Sequence, residues 1–120
     1  MALLFAADRI HHLQTEIDPL LERGTHVFSD RYVMSSLAYQ SVDQELAWVR
    51  SANRNARPPD LTVLMRVGPE VAAERRGVRG SADEIYDRLQ FQRQVAENYD
   101  RLAEELHDHH VVVVDAGGDF

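Results

Sequence analysis

Apolar residues recur at threes and fours over residues 2–23, at Leu3, Ala7, Ile10, Leu13, Ile17, Leu20 and Leu21, the period of an amphipathic helix. Gly24 follows and suits its C-cap. Residues 25–30 read as a short buried strand around Val27 and Phe28, and residues 32–50 as mostly helical. There Leu37, Ala38, Leu46, Ala47 and Val49 turn inward, with Trp48 at an edge. The polar stretch 51–60 carries Pro58 and Pro59, which cannot continue a helix. Residues 61–67 form the clearest strand, dense in apolar and β-branched side chains with only Thr62 and Arg66 between them. Pro69 opens a helix in its first turn, and the run Arg75-Arg76-Gly77-Val78-Arg79-Gly80 breaks it. A long helix over residues 83–107 carries Ile85, Leu89, Val95, Tyr99, Leu102 and Leu106 on one stripe, and Val111 to Val114 give a third buried strand. This alternation predicts an α/β fold with a largely parallel sheet of about three strands flanked by helices. No repeat, low-complexity tract or boundary interrupts it, so residues 1–120 are expected to be one domain.

Composition narrows the partners. The 120 residues are 44% apolar and 28% charged, ordinary for a folded domain with a single core. A formal net charge of -7 argues against a nucleic acid polymer as partner, because phosphate-backbone binding needs a basic face. A mononucleotide needs only a local cluster of arginines. Cysteine is absent, which removes a disulfide framework and a thiolate nucleophile and fits a reducing compartment. The opening residues reach Asp8 and Arg9 too early for a signal peptide, and no run approaches the ~18 apolar residues of a membrane span. A cytoplasmic chain with no membrane partner is expected.

Candidate chemistry gathers after Val27 and Phe28. Asp30 and Arg31 stand at a predicted strand end, where ligands sit in open α/β sheets. Arginine forks onto phosphate oxygens, and an aspartate so placed holds Mg²⁺ or its waters in phosphoryl transfer. Taken alone, such a pair is more commonly a surface ion pair at a strand end. Phe5 and Arg9 lie four apart and share a helix side. A flat heterocycle would stack on the first and accept from the second, while the bland alternative is a core ring with a solvated flank. The glycine-spaced arginines 75, 76 and 79 suggest a mobile loop that gathers around an anion, or a solvated charge run. Two other patterns are set aside. The histidines at 11, 12, 107, 109 and 110 lack the spacing of the common zinc motifs. The terminal Gly117-Gly118-Asp119-Phe120 misses the acidic fourth residue of the diguanylate cyclase signature.

Phe5-Ala6-Ala7-Asp8-Arg9, then Asp30-Arg31-Tyr32 with Ser35-Ser36-Leu37-Ala38-Tyr39-Gln40, then Pro59-Asp60-Leu61-Thr62 and Pro69-Glu70-Val71 with the Arg-Gly loop resemble thymidylate kinase in order and spacing over nearly the whole chain. The resemblance implies ATP and Mg²⁺ as cofactors and dTMP as acceptor, giving dTDP. It implies that Phe5 stacks on thymine and Arg9 bonds its carbonyl edge, and that Arg31 holds the acceptor phosphate. Asp30 would orient Mg²⁺ through its water shell and support the nucleophile. Ser36 would lie near the base, with Tyr39 and Gln40 closing over the nucleoside. Arg75, Arg76 and Arg79 would form the catalytic lid.

The departures matter as well. The family's P-loop, whose amides and lysine cradle the ATP phosphates, has no counterpart, and the sequence contains no lysine. Arg66 stands where the family's strand usually carries Asp, Ser41 where Gly usually follows the Gln, and a closing helix after the last strand is missing. In the family's sheet the P-loop strand and a second strand flank residues 27–30, and with neither in this sequence that segment is left without either neighbour. Each orphaned buried backbone group costs about 1 to 3 kcal/mol, against the roughly 5 to 15 kcal/mol that a small domain has in total. The chain is therefore expected to re-pair its strands, to form a homodimer, or to be the tail of an interrupted reading frame. Acting alone it is expected to be inactive. The rival readings are a catalytically dead nucleotide-binding or dimerisation module and a different deoxynucleoside or nucleotide kinase.

Overall fold

The first helical stretch runs as α1 (Ala2–His12), a π turn (Leu13–Ile17) and α2 (Asp18–Glu22), in a computed structural model that describes residues 1–118. The apolar period predicted one helix here, and the π turn has a local cause. Pro19 has no N–H, and its ring crowds the carbonyl four residues back. Immediately before it the Asp18 N–H donates to the Leu13 carbonyl, a wider turn that makes room for the ring. Gly24, at φ 79°, then closes the helix: the Thr25 N–H reaches the Leu20 carbonyl and the Gly24 N–H the Leu21 carbonyl.

Residues 25–30 do not form the expected strand. A strand exists through its ladder, and this segment has no ladder partner among the described residues, with Phe28 96% exposed. The chain turns instead into α3 (Val33–Gln40) and α4 (Leu46–Asn53), both of which pack on α1 and on each other. Ala2, Ala6, Leu13 and Ile17 from the first stretch and Val33, Met34, Leu37, Ala38 and Val49 from α3 and α4 are the buried apolar side chains of these packed helices. Helices are held mainly by such burial rather than by intrinsic propensity. These elements make up the unit Met1–Pro58.

The unit Pro59–Phe120 contains β1 (Thr62–Arg66), α5 (Pro69–Arg76), α6 (Ala82–Glu105), a 3₁₀ turn at His107–His109 and β2 (Val111–Asp115). β1 and β2 pair in parallel with Thr62 opposite Val111 and Arg66 opposite Asp115. The α/β class and parallel pairing agree with expectation, while the sheet has two strands among the described residues rather than about three, and Val112, Val113 and Val114, expected to be buried, are exposed. Val95 and Leu102 of α6 are buried with Ala116, and α6 packs on α5 and β2.

The Arg-Gly run is shorter as a loop than expected. α5 continues through Arg75 and Arg76 and ends at Gly77, whose φ of 61° supplies the left-handed cap. α6 begins with a reciprocal cap in which Ser81 Oγ accepts from the Glu84 N–H at 3.3 Å and Glu84 Oε2 accepts from the Ser81 N–H at 3.0 Å. Gly80, at φ 148°, lies against that carboxylate, and a Cβ there would meet Glu84 Oε2 at 2.7 Å. Of the terminal tetrad, Asp119 and Phe120 lie outside the described residues. Among those described, no helix is long and apolar enough to cross a membrane.

Candidate active site

Helical spacing sets Arg9 one turn beyond Phe5 on α1, and burial decides what each does. Phe5 is half-exposed. Arg9 is drawn inward, where its Nη2 donates to Ser36 Oγ of α3 at 2.8 Å and to the Tyr32 carbonyl at 3.4 Å, and its Nη1 donates to Asn53 Oδ1 of α4. The guanidinium also lies over the Tyr32 ring, 5.4 Å from its centroid. Burial pushes the Arg9 pKa down, opposed by Tyr32 and Asp8. The same burial pushes the Tyr32 phenol up, and its hydroxyl donates to the Arg57 carbonyl at 2.9 Å. Ser36 and Asn53 are both buried polar residues, so each has a defined partner where an unpaired group would be costly.

Next to Tyr32, Arg31 adopts φ 66°, a strained value for a residue with a side chain. Ser29 Oγ donates to the Arg31 carbonyl at 2.8 Å and braces the turn. The Arg31 guanidinium lies 5.1 Å from the centroid of the Tyr39 ring on α3. Asp30 beside it is exposed. Gln40 Oε1, one residue beyond Tyr39, is buried with no hydrogen-bond partner among the described residues. The seven candidates Phe5, Arg9, Asp30, Arg31, Ser36, Tyr39 and Gln40 thus all belong to one unit. Arg9 touches Ser36 and Tyr32, and Arg31 touches Tyr39. Asn53 was missed from sequence, because an asparagine at the polar end of a helix carries no signal of what it will face.

The three remaining candidates lie in the other unit. Arg75 donates to the Ala116 carbonyl at 2.8 Å and the Gly118 carbonyl at 2.7 Å, which ties the end of α5 to the turn after β2. Arg76 is exposed in the last turn of α5. Arg79 is exposed in the loop, where its carbonyl accepts from Arg88 at 3.3 Å. Arg66 meets Asp100 at 2.9 Å on the surface, a pairing of the kind that contributes little.

No group of three or more metal-ligating side chains occurs among the described residues. A single aspartate still suits Mg²⁺, which binds through one or two carboxylates with substrate phosphates and water filling its octahedron. An open groove of about 470 Å³, lined by residues that include Leu3, Ala7, Ile10 and Ala52, runs along α1 and does not include the polar cluster.

Alternating helices and a parallel sheet, with arginines and tyrosines gathered beside α3, define an incomplete P-loop-kinase-like α/β protein. Comparison with known families gives the finer identity. The thymidylate kinase family model matches residues 1–119, and the chain belongs to that family. It is 41% identical over 120 residues to a "Probable thymidylate kinase" of Staphylothermus marinus, covering 99% of this chain and 59% of that protein. It is 41% identical over 112 residues to one of Pyrococcus abyssi, covering 92% and 55%, and 45% identical over 108 residues to one of Pyrobaculum aerophilum, covering 87% and 55%. The chain therefore spans little more than half the length of these relatives.

Proposed function

We propose that these residues carry the acceptor-nucleotide site of a thymidylate kinase, in which dTMP takes the terminal phosphoryl group of ATP to give dTDP and ADP. What supports this above all is the cluster itself: Arg9 on Ser36 and Arg31 over Tyr39 in a single helical unit. In this reading Phe5 stacks on the thymine ring, Arg9 donates to its carbonyl edge, and Ser36 borders the base. Tyr39 and Gln40 close over the nucleoside, where a ligand donor would satisfy the lone Gln40 oxygen. Arg31 holds the acceptor phosphate. Asp30 is the residue that would hold Mg²⁺ through water, and the ion when bound would supply charge neutralisation for the phosphates.

Arg76 and Arg79 are the more available lid cations, and Arg75, engaged with two backbone carbonyls, would root the lid. Phosphoryl transfer of this kind needs positioning and cations rather than covalent chemistry. The residues do not fit the donor's β and γ phosphates: there is no lysine and no glycine-rich loop of the P-loop pattern. Nothing in these residues would grip the ATP triphosphate, and the 120 residues by themselves should release no ADP in a coupled assay. We place the protein in the cytoplasm and propose a homodimer in which a second copy covers the groove on α1, where Leu3 and Leu4 are exposed.

Titration calorimetry tests the site. dTMP should bind, and Arg9→Ala or Arg31→Ala should each abolish the heat signal. Preference for dGMP or dCMP would favour a different nucleotide kinase, and no binding of any nucleotide would leave only a dimerisation module. Ile10→Arg should shift a dimer to monomer in sedimentation, and an unaltered mass would refute the proposed interface.

A further inference from the structure

We infer that Asn53 is a positioning residue for Arg9, holding the guanidinium oriented so that the site prefers a 4-keto pyrimidine to its 4-amino analogue. This deepens the acceptor-site reading and rests on it. Asn53 ends α4 and is only 5% exposed. Its Nδ2 donates at 2.9 Å to the Val49 carbonyl one turn earlier. A carbonyl can only accept, so this bond fixes which way the amide faces and turns Oδ1 toward Arg9. Arg9 Nη1 donates to that oxygen, and Nη2 donates to Ser36 Oγ and the Tyr32 carbonyl.

The guanidinium is thus held between α3 and α4 by neutral acceptors alone. Two consequences follow from that chemistry. First, no carboxylate bonded to Arg9 cancels its charge, which stays available to a ligand. Second, these contacts engage three of the five N–H donors, leaving the Nε–H and one Nη1–H unused among the described residues. Fixed donors reward a carbonyl oxygen and leave an exocyclic amine facing hydrogens, which is discrimination by an unpaired buried group. A guanidinium free to rotate would reorient and discriminate less.

The test uses the full chain with dTMP and dCMP as probes, together with NMR of the Arg9 guanidinium without ligand. In the wild-type protein, rotation about the Arg9 Cζ–N bonds should be slow. Asn53→Leu should speed it, weaken dTMP about tenfold or more and shrink the dTMP-to-dCMP preference by a similar factor. Asn53→Asp keeps the acceptor and should retain slow rotation. A folded Asn53→Leu with unchanged affinity and preference overturns the inference, while loss of binding in Arg9→Ala would leave the acceptor-site reading standing. Wild-type protein that binds neither nucleotide overturns both. If Asn53→Leu does not fold, fast rotation in the wild-type guanidinium still overturns the proposed hold.

Discussion

Residues 1–58 and residues 59–118 bury their surfaces by different rules. In the first unit α1, α3 and α4 cover one another, and the polar side chains taken inside, Ser36 and Asn53, are bonded to Arg9. In the second, Val63, Met65, Val112 and Val114 share one face of the two-stranded sheet and are between 39% and 56% exposed. Parallel strands are ordinarily covered on both faces. Three helices of modest length can bury one another's stripes, whereas a parallel sheet depends on elements remote in sequence. The candidate nucleoside cluster therefore has its own packed support, while β1 pairs with β2 and α6 lies against β2.

The largest effects should come from the fully buried leucines, one in each unit. Leu37→Ala and Leu102→Ala each remove a side chain with essentially no exposure, and each should cost about 2 to 5 kcal/mol in urea unfolding. Trp48 reports on the first unit by its fluorescence, so Leu37→Ala should lower the midpoint seen there. A loss well under 1 kcal/mol for Leu37→Ala would break the contrast, since it would mean that the helical unit is not tightly packed.

A smaller effect is expected from His109, buried in the turn before β2 with Nδ1 unpartnered among the described residues. Burial pushes its pKa below the ordinary value, and Asp108, whose Oδ1 lies 4.0 Å from Nε2, opposes that shift. Protons therefore bind the unfolded chain more readily than the folded one. Stability from this group is complete above about pH 6.5 and declines as pH falls from there through the lower folded pKa. Urea midpoints for wild type and His109→Gln should be compared between about pH 7.5 and pH 5.5. The wild type should lose more, and an equal loss would show that His109 is not the group titrating.

Most of the helical architecture was legible because burial there is local and periodic. Leu13, Ile17, Leu37, Val49, Val95 and Leu102 were read as inward-facing and are buried, whereas Ala47, read the same way, is exposed. The strand expected over residues 25–30 failed because a run such as Val27-Phe28 states that a segment prefers extension, not that it has a neighbour to pair with. The loop start was misjudged for a related reason: Arg75 and Arg76 look like a break by charge, but helical geometry holds until Gly77 supplies the positive φ. The Ser81-to-Glu84 cap went unread, although its spacing is that of a capping box. The contacts of Arg9 were not legible, since Asn53 is 44 residues away and meets it only through the packing of α4.

The smallest predicted effect bears on the sheet's open face. Val63→Thr and Val112→Thr replace exposed, paired positions with a residue of similar shape and good strand propensity. With that face bare, each should change stability by no more than about 0.5 kcal/mol. The same substitution in a covered sheet would bury a hydroxyl without a partner, at about 1 to 3 kcal/mol. A measured loss in that upper range for either valine, at protein concentrations that favour self-association, would mean that the face is covered in solution. Because the covering group would then be absent on dilution, the loss should itself shrink as the chain is diluted, whereas the cost of Leu102→Ala should not.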